Sequence, residues 1–193
     1  KPPNKPGTIH QFHYCASQAD AVTGQMLWIQ TALRQVGIGG EIFCIENKTP
    51  PSSGIRQFTP AQFNSGDLAL IHHSHGNPDL ARVLNTSLPK ALIYHNVTPS
   101  HFFKHDPHLA EFSNLGRRQI AEFRGKIIAA FGDSRYNCSE LEVAGLSSAE
   151  IFPLLKVILR IYQKVKKIEL PIWVCLEQFL VLDLFWDLCL VDY

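Results

Sequence analysis

At 193 residues the chain has room for one sizeable domain and too little for two ordinary ones. A hydrophobic content of 46% supports a packed core, and a formal net charge of +1 supplies no global field for nucleic acid or an anionic membrane. The five cysteines, Cys15, Cys44, Cys138, Cys175 and Cys189, are odd in number, widely spaced and without a CxxC pair; they suggest neither a zinc knuckle nor a dense disulfide framework and suit a reducing cytosol.

The opening "KPPNKPGT" has no apolar signal core and no initiator Met, so a processed product or fragment is expected. Residues 1–7 are Pro-rich and read as an extended lead-in. "TIHQFHY" (8–14) alternates and predicts a first strand. Val22, Met26, Ile29, Leu33 and Val36 have helical spacing, and Gly37 and Gly39-Gly40 stop that helix. "EIFCIE" (41–46) predicts a second strand. Residues 47–66, with Pro50-Pro51, Gly54 and Pro60, read as a long loop with at most a short helix.

A strand at 67–72, a short helix near 79–86 and a strand at 90–95 come next. The stripe Leu109, Phe112, Gly116, Ile120 and Phe123 predicts a helix over 107–124. A strand at 126–131, a helix from about Ser134 to Ala144, and a further strand within 149–155 complete the series. Strands alternate with helical patterns, and several strands are unbroken apolar runs. Both features point to an α/β fold, a Rossmann-like, three-layer, mostly parallel sheet over residues 8–155.

Residues 156–193 differ. "IWVCLEQFLVLDLFWDLCLVDY" (172–193) is strongly apolar, but Glu177, Asp183, Asp187 and Asp192 interrupt it well short of the roughly 20 residues a membrane span needs. This apolar tail reads as a buried or partner-seeking helix, with self-association as a consequence, or as a non-native reading-frame product.

Three apolar runs end in chemically able residues: "LALIHHSHGNP", "ALIYHNVTPSHFF" and "IIAAFGDSRYN". In parallel sheets the ligand crevice lies outside the carboxyl ends of the strands. His72, His73 and His75, then His95 with Asn96, then Asp133 with Ser134 all fall at such ends. A histidine there can orient a hydroxyl or move a proton; the plainer reading is a polar strand end bonded to a loop. The closely spaced histidines raise a metal site, but no HExxH or CxxC accompanies them, so no metal is expected. Asp133-Ser134 also reads simply as the N-cap of the next helix. "SQADAVTG" (17–24) joins the first strand to the first helix, where backbone N–H groups can take a phosphate or sugar oxygen. The chain has no GxGxxG, GxxxxGK[ST] or GxSxG.

Taken in order, "GDLALIHHSHGNP", "KALIYHNVTPSHFF", "GRRQIAEF" and "FGDSRYNCSELEVAG" resemble the N-terminal domain of bacterial glycosyltransferases of family 4. The resemblance implies one half of a GT-B fold, two facing Rossmann-like domains. It implies metal-free, retaining transfer of a sugar from a nucleotide-sugar donor to a glycan or lipid-linked acceptor, as in polysaccharide biosynthesis, with no separate cofactor. This domain would hold the acceptor. His95 matches the family's cleft histidine and takes the catalytic role. Asp20 and Gly24 occupy the place of the loop near the donor phosphates, although Gln18-Ala19 stand where the family favours glycine. His73, His75, Asn96, Thr98 and Ser134 would line the cleft. The family's donor domain would follow residue 155, where 38 residues remain, so a truncated chain that meets the donor mainly through an absent domain is expected. Glu169 and Glu177 carry the spacing of the family's donor motif without its glycine. The expected site of action is the cytoplasm, extending to the inner membrane face. The rival readings are a non-catalytic binding or interaction module and a metal-dependent hydrolase built on the histidines.

Overall fold

The computed structural model describes residues 8–151, apart from 36, 60–62, 65 and 147–148. The expected lead-in and apolar tail, with Glu169 and Glu177, lie outside the described residues.

Seven parallel strands form one sheet in the order β3-β2-β1-β4-β5-β6-β7. They are β1 (Ile9–Ser17), β2 (Ile42–Lys48), β3 (Arg56–Gln57), β4 (Leu68–His73), β5 (Lys90–Tyr94), β6 (Ala129–Gly132) and β7 (Glu150–Ile151). The helices are α1 (Ala21–Gln35), α2 (Leu80–Leu84), α3 (Pro107–Gln119) and α4 (Arg135–Val143), with 3-10 turns at Pro51–Ser53, Ser100–Phe103 and Ile120–Phe123. Every position of β4 and β5 is buried. That explains why both read as apolar runs without alternation.

From β1 the chain first builds outward through β2 and β3, then returns to the other side of β1 and builds through β4 to β7. Right-handed crossovers therefore put α1 on one face and α2, α3 and α4 on the other. Packing agrees. Met26 of α1 joins Ile42 and Cys44 in one cluster. Leu80, Val83 and Leu141 join Phe12, Ile71, Leu92 and Tyr94 in the larger one. The fold is α/β and Rossmann-like, in three layers.

Two local features set the carboxyl edge. Gly116 of α3 and Gly76 in the loop after β4 meet backbone to backbone: the Gly76 N–H donates to the Phe112 carbonyl at 3.0 Å, and a Cβ on Gly116 would lie 2.7 Å from the Gly76 nitrogen. Neither position has space for a side chain. The loop after β5 is clamped by one network. The Tyr94 hydroxyl donates to Glu140 Oε2 at 2.8 Å and accepts the Val97 N–H at 3.2 Å. Arg117 donates to the Val97 carbonyl at 2.6 Å and pairs with Glu140. Among the described residues no helix is long and apolar enough to cross a membrane.

Element bounds differ from expectation in several places; β1 runs on to Ser17 rather than ending at Tyr14, and two further cases have a local cause. β6 begins at Ala129 rather than 126, because Gly125 (φ 68°) and the bond from the Lys126 N–H to the Phe123 carbonyl hold a turn there. The loop expected over 47–66 contains β3, two exposed residues paired in parallel with β2.

Candidate functional site

His95 follows β5 directly, and its N–H bonds the His73 carbonyl of β4 at 3.0 Å. Asp133 follows β6, the neighbouring strand, and its N–H reaches the Tyr94 carbonyl at 3.4 Å. Ser134 caps α4, accepting the Asn137 N–H at 3.2 Å. The polar ends of β4, β5 and β6 therefore share the carboxyl edge.

Four side chains from neighbouring strands connect in a row. Gln11 Nε2 of β1 donates to the Met26 carbonyl of α1 at 2.8 Å. That bond fixes the amide orientation and turns Gln11 Oε1 towards His72 Nε2, 3.0 Å away. His72 Nδ1 is 2.8 Å from His95 Nε2. The two rings are 5° from parallel with centroids 5.1 Å apart, the separation an end-to-end, in-plane N–H···N bond needs. His95 Nδ1 is then 2.8 Å from Asp133 Oδ2. The row climbs out of the core: Gln11 is 1% exposed, His72 3%, the His95 side chain 5% and the Asp133 side chain 38%. Burial keeps the His72 pKa well below its ordinary value, so that ring is neutral in the fold.

Asn96, next to His95, is exposed and adopts the left-handed backbone conformation at φ 64°. Asn tolerates this region better than other non-glycine residues. Thr98 is exposed, and its carbonyl accepts the Ser113 hydroxyl of α3.

A second cluster sits at the carboxyl ends of β1, β2 and β4, where the direction of building reverses. His13 Nδ1 donates to the His72 carbonyl at 2.9 Å, and the Ser74 hydroxyl lies 3.4 Å from His13 Nε2 and 2.9 Å from His75 Nδ1. Tyr14 donates to Glu46 at 2.8 Å, and His75 packs edge-on against Tyr14 and His13. Burial, reinforced by the charge of His75, lowers His13 to about 3. Burial also lowers His75, with Asp20 and Glu46 opposing it. Tyr14 is pushed up to about 12 by burial and its bond to Glu46.

The remaining candidates are placed as follows. His73 is buried and faces α3, donating from Nε2 to the Gly116 carbonyl at 2.8 Å; burial lowers it to about 4. It points to the opposite side of the sheet from His72. Asp20 caps α1, where Oδ2 accepts both the Thr23 N–H and the Thr23 hydroxyl at 2.7 Å. Its carboxylate thus occupies the amide that a phosphate would use. Gly24 lies in the first turn of α1, exposed, with its own N–H bonded to the Asp20 carbonyl at 3.0 Å. Among the described residues no three His, Cys, Asp or Glu side chains converge as a metal-ligand set. His95, Asn96 and Asp133 stand together; His75 and Asp20 belong to the second cluster.

Gln11 and the Tyr94–Arg117–Glu140 clamp had no strong sequence signal. Gln11 lies in the alternating strand 8–14 and shares a face with Ile9 and His13, a pattern that does not single it out. Comparison with protein-family models gives no match, and neither does comparison with curated proteins.

Proposed function

We propose that this domain is the acceptor-side half of a retaining nucleotide-sugar glycosyltransferase. It acts in the cytoplasm, at the inner membrane face when its acceptor is lipid-linked. The observation that carries the reading is the hydrogen-bonded row ending at His95 and Asp133 on the carboxyl edge of a fully parallel sheet. Chemically, such an edge offers fixed acceptors and donors for sugar hydroxyls, with exposed Asn96 and Thr98 beside them. The bond between His95 Nδ1 and Asp133 Oδ2 leaves the pair without net charge, so its exposed oxygen can face the positive charge that develops at a reacting anomeric carbon without a metal.

The described residues build one wall. Transfer needs the acceptor hydroxyl held beside the leaving phosphate between two walls. Asp20 already occupies the α1 amide, so the nucleotide phosphates are assigned to a second domain.

Parallel isothermal titrations with soluble saccharides and with nucleotide sugars test the reading. Saccharides bind the protein, and His95→Ala abolishes that binding; nucleotide sugars bind at least tenfold more weakly. Tight nucleotide-sugar binding, or rapid transfer by the isolated chain at about 1 per second or more, contradicts the half-enzyme assignment. No binding by any saccharide contradicts the site.

A further inference from the structure

We infer that Asp133 is the residue that grips the sugar hydroxyl, and that His95 acts through it as a positioning residue. This rests on the glycosyltransferase reading and names the contact atom within that site.

The argument is donor and acceptor accounting along the row. Gln11 Nε2 must donate to the Met26 carbonyl, so Gln11 Oε1 can only accept, and His72 Nε2 carries a proton. Neutral His72 then has a bare Nδ1, which can only accept. His95 Nε2 must therefore carry a proton and spend it on His72. One proton remains between His95 Nδ1 and Asp133 Oδ2. Placed on the nitrogen it makes an ion pair; placed on the oxygen it makes a neutral pair. In both cases the pair has no net charge and both His95 nitrogens are used.

A histidine with both nitrogens engaged and a side chain 5% exposed has no atom left for a ligand. Asp133 has one. Its side chain is 38% exposed, and its Oδ1 has no hydrogen-bond partner among the described residues. The row therefore delivers one oriented carboxylate oxygen to the crevice. Because the pair is neutral overall, that oxygen takes a neutral polyol hydroxyl and has little pull on a free cation. Asn96, exposed beside it, can supply a second polar contact.

The test uses the full chain, carrying 15N-histidine and 13C-carboxyl aspartate, titrated with glucose, galactose, mannose, N-acetylglucosamine and their disaccharides. Long-range 1H–15N spectra of the free protein show protons on Nε2 of both His72 and His95. A binding saccharide moves the Asp133 carboxyl resonance. Asp133→Asn keeps the link to His95 but loses the carboxylate, and it weakens binding at least tenfold; Asp133→Glu restores part of it. Saccharide binding by Asp133→Asn within twofold of the native protein overturns the inference and leaves the glycan site standing. So does a saccharide that shifts the Asn96 and Thr98 amides of the native protein without moving Asp133, a result that does not depend on any variant folding. If no saccharide perturbs the native protein, the functional reading itself fails and the inference falls with it.

Discussion

Ser134 and Asp133 are adjacent in sequence and opposite in role. The Ser134 hydroxyl is committed to capping α4, where it accepts the Asn137 N–H, so Ser134→Ala should cost about 1 kcal/mol of stability and change saccharide affinity by less than about twofold. Asp133→Asn should show the converse, a small change in melting temperature and a large loss of affinity. Thermal denaturation and titration of both variants separate the cap from the contact. Asn96 belongs to the same scale. Its left-handed backbone (φ 64°) suits glycine, so Asn96→Gly should retain stability, whereas Asn96→Val should lose about 1–2 kcal/mol in urea denaturation. Of these residues, His95 and Ser134 were legible because each closes an apolar run. Gln11 was not. The row is diagonal: His72 pairs across the sheet with Ile93, two residues before His95, and Gln11 pairs with Leu70, two residues before His72. Which side chains meet thus depends on strand order and register, which a single sequence does not display.

Among the elements, β4 and β5 were the most legible, because burial on both faces leaves an uninterrupted apolar signature. β3 was illegible for the opposite reason: two exposed residues on an outer strand bury nothing that periodicity can report. The helix expected over 107–124 divides into α3 and a 3-10 turn whose Ile120 and Phe123 enter the core. The stripe marked those contacts correctly without showing the tighter last turn. The close approach of α3 to the loop after β4 gives a prediction at this scale. Gly116→Ala places a methyl group against the backbone of His75 and Gly76. It should destabilise by about 1–3 kcal/mol, read as a lower urea midpoint. Since His73 donates to the Gly116 carbonyl, the same displacement should also change the His73 ring signals.

For the whole molecule, the buried histidines dictate the response to acid. Burial lowers His13 to about 3 and His73 to about 4, and holds His72 well below the ordinary 6.5. The unfolded chain takes up protons at these rings as pH falls below 6.5, while the fold does not. Their contribution is fully present above pH 6.5. It declines at up to about 1.4 kcal/mol per pH unit for each ring until the folded value is reached. Between pH 6.5 and 5 each loses about 2 kcal/mol, so urea denaturation should show stability falling steeply over that interval and nearly level from 7 to 8. A flat profile from 5 to 7 would mean these rings are charged or exposed in the fold. At this scale the parallel sheet and its carboxyl-edge polarity were legible in the run endings. The measurement closest to the functional claim is amide chemical-shift mapping of the intact protein with a saccharide panel. The account predicts perturbations concentrated at residues 95–98 and 133, on the carboxyl edge. Perturbations at the amino-terminal ends of the strands, or none at saturating saccharide, would contradict it.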